Sequence, residues 1–348
     1  VKNFLLKLCD GVSLSRLEMK DAVNQLFKEI TTESEVAAFL TALKLKGETV
    51  DEITGLVEAL REKAMPISTH LSGIMDNCGT GGDGSQSFNI STTTSFVLAG
   101  AGVKVAKHGN RSVSSKTGSA DVLEELGVAL DFNGDEVEEL LDTNGIAFLF
   151  APHVHSQLKK VMQVRKQLKI PTIFNLIGPL TNPVTLDTQL LGVYRRDMIE
   201  TMALVLKQLG RKRAIVLNGA GYMDEASLAG ENHLVLVEEG EISTFTISPE
   251  DIGLSYYPLE KIKGGDAIEN ARILVDVLKG NTSPYLDTTL LNAAIALYAS
   301  GKAATVKEGV ELARHSIESG AAYEKLQNLI KYSQNNRKRV VSNVYNPN

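Results

Sequence analysis

The sequence predicts an α/β fold: a largely parallel central sheet flanked by helices, with a small all-helical domain that is mainly N-terminal. Three observations predict it. From about 3 to 68 apolar side chains recur at helical spacing with no strand-like run between them. After Gly73 short apolar runs alternate with helical segments, the pattern of a parallel sheet covered by helices. From about 266 to 333 the chain is again mainly helical. Its 348 residues suggest two domains. The expected division is a helical domain over 1–72, completed by helices within about 165–185, and an α/β domain over 73–348.

In the helical domain, Ser15–Ile30 and Glu33–Lys46 read as helices. Leu17, Val23, Leu26, Phe27 and Ile30 fit one stripe, and Val36, Phe39, Leu40 and Leu43 another. This apolar surface exceeds what one thin bundle buries, so the domain is a candidate subunit interface. Strands are expected at Ile74–Cys78, Val103–Ala106, Ile146–Phe150, Leu190–Val193, Ala214–Leu217 and Leu234–Val237. Glu238-Glu239-Gly240-Glu241, between two β-rich runs, reads as a hairpin turn with Gly240 as its flexible point. His155–Lys169 reads as a helix with Leu158, Val161, Met162 and Leu168 facing inward. Gly178, Pro179 and Pro183 prevent a regular helix through Ile177–Pro183. That segment reads as a connection between the domains that permits closure over substrates.

Residues 76–119 carry the densest functional signal. Gly79, Gly81, Gly82 and Gly84 let the backbone approach a ligand where a Cβ would block it. Asn89, Ser91 and Thr92 then open an apolar run that reads as a helix start, where free N–H groups and the positive dipole end favour anions. Lys107, Arg111, Ser112, Ser114 and Ser115 follow a second apolar segment and suggest a second wall of the same anion site. A phosphorylated compound fits both walls. Gly79-Thr-Gly81-Gly-Asp-Gly84 formally matches the dinucleotide fingerprint, but the helix start waits until about Asn89. Where an acidic ribose ligand belongs, Lys104 and Lys107 stand instead. The ATP-type phosphate loop is absent.

Two further positions carry alternatives. Arg165 falls in the inward stripe of its helix, and either snorkels to water or points into a cleft to bind a carboxylate with its planar donor fork. Asp224 and Glu225 follow a turn after an expected strand. They are either a solvated surface pair or a functional pair beyond the carboxyl end of a strand, where ligands of α/β sheets bind. The histidines show no metal-binding spacing; His108, His153 and His155 read as shape and hydrogen-bonding residues.

A net charge of −6 argues against a general nucleic-acid surface, leaving the basic residues near 104–116 as a local site. Cys9 and Cys78 make neither a disulfide framework nor a zinc signature, which points to a reducing, cytoplasmic setting. The opening residues carry no adequate signal-peptide core, and no apolar run nears the roughly 18 residues of a membrane span.

Asp76-Asn-Cys-Gly79-Thr-Gly-Gly-Asp83, Phe88-Asn-Ile-Ser-Thr92, Val105-Ala-Lys-His-Gly-Asn-Arg111 and Gly118-Ser-Ala-Asp121 together resemble the anthranilate phosphoribosyltransferase family. The likeness extends through Asn175–Pro183 and Asp224-Glu225, in the family's order. It implies transfer of the 5-phosphoribosyl group from 5-phosphoribosyl 1-pyrophosphate (PRPP) to the amine of anthranilate, a step of tryptophan biosynthesis. It implies PRPP binding by Gly79, Gly82, Asp83, Ser87, Asn89, Ile90, Ser91, Thr92, Lys107, His108, Gly109, Asn110, Arg111, Ser112, Val113, Ser114, Ser115 and Ser119. It places anthranilate against Gly79, Asn110 and Arg165, and Mg²⁺ on Ser91, Asp224 and Glu225, with no residue as general acid or base. A homodimer through the helical domain is also implied. Three departures stand out: Ser87 for a usual Thr, His155-Ser156-Gln157 for His-Pro-Ala, and Asn218 where His is common. The alternative is a pyrimidine nucleoside phosphorylase of the same architecture, which lacks the Lys107–Arg111 segment.

Overall fold

A computed structural model describes residues 1–112 and 116–345, with side-chain surroundings up to residue 335. Val113, Ser114 and Ser115 therefore lie outside the described residues. The chain opens with helices α1 (Lys2–Cys9), α2 (Arg16–Leu26), α3 (Glu33–Lys46) and α4 (Val50–Glu62). Ser15, Thr32 and Thr49 cap the last three, each paired with a Glu three residues on in a reciprocal capping box. The stripe on α2 differs from the expectation. Met19, Ala22, Val23 and Leu26 are buried, whereas Leu17 is 74% exposed and Ile30, beyond the end of the helix, 86%. Capping at Ser15 and termination after Leu26 set the helix phase, which a list of apolar positions does not contain.

The sheet comprises β1 (Ile74–Asp76), β2 (Lys104–Gly109), β3 (Ile146–Phe150), β4 (Thr188–Gly192), β5 (Arg213–Asn218), β6 (Asn232–Glu238) and β7 (Glu241–Ile247). Their order is β3-β2-β1-β4-β5-β6-β7, with the first five strands parallel and β6 and β7 antiparallel additions. Glu239 and Gly240 take φ of 51° and 82°, the left-handed backbone a tight hairpin needs. The chain runs outward from β1 through β2 to β3, then returns to β4 on its other side. That makes β1/β4 a topological switch point, where ligands of open α/β sheets bind. β2 is longer than its apolar run: Lys107 and His108 lie on the strand, paired with Phe148 and Leu149.

Crossovers are made by α5 (Ile90–Gly100), α6 (Ser119–Glu125), α7 (Gly134–Thr143), α8 (Ala151–Val154), α9 (Lys159–Leu168), α10 (Phe174–Ile177) and α11 (Ile199–Gln208). The C-terminal helices α12 (Ala267–Leu278), α13 (Pro284–Ala299), α14 (Val306–Glu318) and α15 (Ala321–Tyr345) close the fold. The expected helix His155–Lys169 is instead a short 3₁₀ turn at Ser156–Leu158 followed by α9, whose buried residues are Val161 and Val164.

Sheet alternation divides the apolar side chains between two cores. Ile215, Leu217, Leu234 and Leu236 join α5, α13 and α14 on one face. Ala214, Val216, Val235 and Val237 join α11, α9, α10 and the N-terminal helices on the other. The N-terminal helices are thus seated on the sheet layer through α11. Each large apolar side chain buried there contributes about 1.5–3 kcal/mol.

Candidate active site

β1 ends at the switch point and the chain enters the glycine loop. Gly79 bridges Gly192 at the end of β4, and Thr80 N–H donates to the Gly192 carbonyl at 2.9 Å. Both glycines face the loop after β5: a Cβ on Gly79 would lie 2.3 Å from the Asp224 carboxylate, and one on Gly192 only 1.6 Å from the Asp224 carbonyl oxygen. Gly81 N–H donates to Asp224 Oδ2 at 2.6 Å. Asp83 turns back on its own loop, accepting from Ser85 N–H and Oγ at 3.0 Å, and accepts a longer bond from Asp224 N–H at 3.4 Å. Ser87 N–H donates to Ser85 Oγ at 3.3 Å. The sequence signal of the glycine loop is therefore a docking surface for the acidic loop as well as an approach for a ligand.

The loop delivers the chain to the N-terminus of α5. Asn89 does not cap it; its side chain donates to Thr117 O at 3.3 Å and accepts from Asn270 Nδ2 at 2.8 Å. Ile90 and Thr92 are buried, Ile90 within the core on the α5 face of the sheet. Ser91 stands beside Glu225, and its hydroxyl and N–H act to lower that carboxyl's pKa.

The second wall starts on β2. Lys107 is buried, and its charge stabilises the carboxylates of Asp76 and Glu225. Gly109 is obligatory, since a Cβ there would meet Ser119 Oγ at 2.3 Å. Asn110 and Ser119 bind each other, Asn110 N–H to Ser119 Oγ at 3.2 Å and Ser119 Oγ to Asn110 O at 3.2 Å. Arg111 lies apart from the acid pair, in ion pairs with Asp121 at 2.7 Å and Glu124 at 2.9 Å. Ser112 N–H joins the same Asp121 at 3.3 Å.

Asp224 is buried and Glu225 half-buried, so they are not a freely solvated pair. Burial, then each other's charge and that of Asp83, hold Asp224 well above the usual carboxylate range. Burial pushes Glu225 up to about 7 against the opposing effects of Lys107 and Ser91. Among the described residues no group of three or more His, Cys, Asp or Glu side chains is arranged to hold a metal ion. A cation is nevertheless what this excess of buried negative charge lacks. Mg²⁺ suits it, because it takes hard oxygens and uses one or two carboxylates beside substrate phosphates and water.

A second region, joined to β2 through the His108–Gly178 contact, is formed by α9, α10 and Gly178–Pro183. The guanidinium of Arg165 donates to Asn175 Oδ1 and Met162 Sδ, each at 3.2 Å, and lies 5.3 Å over the Phe174 ring. Burial alone lowers its pKa. The Gly178–Pro183 segment, expected to connect the domains, is clamped by side chains of the sheet layer and its neighbours. His108 Nδ1 binds Gly178 O at 3.1 Å, Gln189 Nε2 donates to Pro179 O at 2.8 Å, and His155 Nε2 binds Thr181 O at 2.9 Å. Asn182 Nδ2 donates to Asp76 Oδ2 at 3.0 Å and Ala106 O at 2.8 Å.

Because a carbonyl only accepts, His108 carries its proton on Nδ1, and its buried Nε2 has no partner among the described residues. Burial, then the neighbouring His155, push His108 down to about 3. The folded state keeps this imidazole neutral while the unfolded chain protonates it below about 6.5. Stability from this group is therefore complete above about pH 6.5 and falls as pH drops towards about 3. His108→Asn keeps the donor to Gly178 O without a titrating ring. Urea unfolding from about pH 7 to about pH 5 should cost it about 2 kcal/mol less than wild type, at about 1.36 kcal/mol per pH unit. An equal loss in both proteins would rule out a buried neutral His108.

Two contributors escaped sequence reading. Gly192 is demanded by the Asp224 backbone, which nothing local announces. Asn270 accepts Gly265 N–H at 2.8 Å and holds Asn89, while Thr117 Oγ1 donates to Gly265 O at 2.8 Å. Lys263–Gly265 thus joins the two walls. Its Gly-Gly pair before the capping Asp266 of α12 was the available signal.

This geometry agrees with comparisons to known proteins. Residues 71–323 match the family model "Glycosyl transferase family, a/b domain", and residues 2–64 match "Glycosyl transferase family, helical bundle domain". An anthranilate phosphoribosyltransferase of Exiguobacterium sibiricum is 61% identical over 96% of this chain and 98% of that protein. The crystal structure of anthranilate phosphoribosyltransferase from Thermus thermophilus superposes with a TM-score of 0.90 at 40% identity, covering 95% of this chain and 99% of that one. The Saccharomyces cerevisiae enzyme in complex with PRPP and Mg gives 0.88 at 30% identity over 96% and 97%. Its complex with 4-fluoroanthranilate gives 0.86 at 29% identity, again over 96% and 97%. The chain belongs to the anthranilate phosphoribosyltransferase family, glycosyl transferases with a helical bundle before an α/β domain.

Proposed function

We propose that the walls built by Gly79–Thr92 and Lys107–Ser119 hold PRPP, and that Arg165 holds the carboxylate of anthranilate. The reaction is phosphoribosyl transfer to the anthranilate amine, giving N-(5-phosphoribosyl)anthranilate and pyrophosphate, the second step of tryptophan biosynthesis from chorismate. The observation that carries the assignment is the acid pair of buried Asp224 and half-buried Glu225 beside Lys107, Ser91 and the glycine loop.

The amine nitrogen forms a bond to the anomeric carbon as the bond from that carbon to pyrophosphate breaks, and the amine gives up a proton. Positive charge grows on the sugar and negative charge on the departing pyrophosphate. Lys107 and the N–H groups opening α5 sit where they stabilise that negative charge. Asp224, Glu225 and Ser91 would hold Mg²⁺, which when bound neutralises pyrophosphate oxygens. Gly79 and Asn110 mark where the aromatic acid meets the ribose, and positioning the amine in line supplies much of the remaining rate. Arg111 retains a PRPP role here only by exchanging its carboxylate partners. No general acid or base is assigned.

Loss of anthranilate fluorescence tests this reading. It should require both PRPP and Mg²⁺; phosphate-dependent cleavage of a pyrimidine nucleoside instead would favour the phosphorylase alternative. Lys107→Ala should raise the KM for PRPP or lower kcat by about ten- to hundredfold, the worth of a charged hydrogen bond of roughly 1.5–3 kcal/mol at about 1.4 kcal/mol per decade. The KM for anthranilate should change less. A variant defective only towards anthranilate would assign Lys107 to the wrong substrate.

The helical domain is proposed to include α9 and α10, whose Val161, Val164, Leu176 and Ile177 share its core. A homodimer through that domain is supported by the exposed Leu6, Val12, Leu17, Ile30 and Leu45. Free Cys9 and Cys78 support a reducing, cytoplasmic setting. Among the described residues, no helix is long and apolar enough to cross a membrane.

A further inference from the structure

We infer that Asn218 is a positioning residue: it fixes the hairpin that presents Asp224 and Glu225 to the substrate phosphates. The inference rests on the metal-holding role proposed for that pair. Asn218 is the last residue of β5 and is fully buried. Its Nδ2 donates to Val193 O at 2.8 Å, with Tyr194 O at 3.2 Å and Met223 O at 3.4 Å also within reach. Its Oδ1 accepts from Arg196 Nε at 2.8 Å. One amide therefore ties the chain leaving β4, the turn bearing Arg196 and the residue just before Asp224.

Within the hairpin 219–223, Ala220 N–H also donates to Asn232 Oδ1 at 3.3 Å, so Asn218 acts beside that contact at the strand end of the loop. Gly219 N–H donates to Met223 O at 2.9 Å, closing a short loop in which Gly221 and Tyr222 take φ of 81° and 62°. Tyr222 is 61% exposed and lies under the Arg196 guanidinium at 4.6 Å, so Arg196 grips the loop from outside while Asn218 grips it from inside. The strained backbone at Tyr222 persists only where its surroundings over-determine it. Downstream there is no slack, because the Asp224 carbonyl packs on Gly192 with no room for a Cβ. A tilt of the hairpin would be transmitted to both carboxylates. Two adjacent acids that repel each other, Asp224 buried and Glu225 half-buried, need such a brace to stay together.

This accounts for a departure in the sequence. Asn at 218 supplies both donor and acceptor where the family commonly has His, and a neutral imidazole also offers one of each. Asn218→His should therefore preserve the brace, whereas Asn218→Ala removes it and Asn218→Asp keeps the acceptor but loses the donors.

The test is steady-state kinetics of the full chain with Mg²⁺ and PRPP titrated separately from anthranilate. Asn218→Ala and Asn218→Asp should raise the Mg²⁺ and PRPP concentrations needed for half-maximal rate by about tenfold or more, within the roughly hundredfold that a displacement of about 1 Å can cost. Their KM for anthranilate should stay within about twofold, and Asn218→His should restore the titrations. Arg196→Ala, which leaves Asn218 itself in place, should shift the same titrations in the same direction. It serves if the Ala and Asp variants do not fold. An unchanged Mg²⁺ titration in folded Asn218→Ala, or in Arg196→Ala, overturns the inference, as does an equal penalty on anthranilate. If the role of the acid pair is itself wrong, Asp224→Asn/Glu225→Gln keeps a normal Mg²⁺ titration. If only Asn218 is misassigned, that double variant fails while Asn218→Ala titrates normally.

Discussion

Asp224→Asn combined with Glu225→Gln should abolish turnover at ordinary Mg²⁺ concentrations while leaving the folded protein as stable as wild type or more so. The two effects have one cause. In this fold Asp224 is buried and Glu225 half-buried beside like charges, which raises Asp224 far above the usual range and Glu225 to about 7. Keeping them ionised at neutral pH costs the folded state free energy that the unfolded chain does not lose. For such raised acids the folded state is favoured most at low pH, and the advantage shrinks as pH rises from about 4.5 through about 7. The amides remove that cost and keep the shape. Asp224→Asn still accepts from Gly81 N–H, and Glu225→Gln keeps the side chain's size beside Ser91. Neutral amides, however, cannot match carboxylates as ligands for a hard divalent ion. Thermal unfolding without metal and anthranilate turnover across an Mg²⁺ series measure the two halves. Near-normal turnover with an unchanged Mg²⁺ dependence would remove the pair from the mechanism.

That opposition of stability and activity explains which parts of the molecule could be read in advance. Strand positions followed from apolar runs, because burial on both faces of a parallel sheet leaves a local trace. The helix phase of α2 did not, since a cap and a stop decide it and Leu17 and Ile30 are apolar yet exposed. Lys107 and His108 looked like loop residues because they are polar; their burial on β2 is offset by Asp76, Glu225 and the Gly178 carbonyl, partners supplied from distant parts of the chain. Asp224 was located by its position after a strand, but its contact with Gly81 spans 143 residues and was not legible. Gly192 and Asn270 were missed for the same reason: each is demanded by a segment remote in sequence. The glycine loop was visible as a ligand approach, and its second duty of receiving the acidic loop emerged only from the sheet order.

Arg165→Ala should raise the KM for anthranilate by about ten- to hundredfold and lower kcat by less. A carboxylate contact made equally in ground and transition states is uniform binding, so its loss appears chiefly in KM. The size follows from a charged hydrogen bond of roughly 1.5–3 kcal/mol at about 1.4 kcal/mol per factor of ten. The structure strengthens the carboxylate reading over the snorkelling one. Arg165 is half-buried and loses solvation, yet its partners are an amide, a thioether and an aromatic face, with no acid among the described residues. A desolvated guanidinium without a counter-charge gains more from an incoming carboxylate than an exposed one does. Arg165→Lys should recover only part of the loss, because an ammonium cannot reproduce the two-pronged contact or the flat packing on Phe174. The competing account is structural: Arg165 braces Asn175, whose Oδ1 also accepts from Thr172 N–H at 3.0 Å. An aniline-type substrate lacking the carboxylate separates the two. Wild type should use it poorly and Arg165→Ala should lose little more, since the missing contact is already absent. If the variant penalises that analogue as heavily as anthranilate, Arg165 shapes the cleft through Asn175 and the carboxylate has another partner.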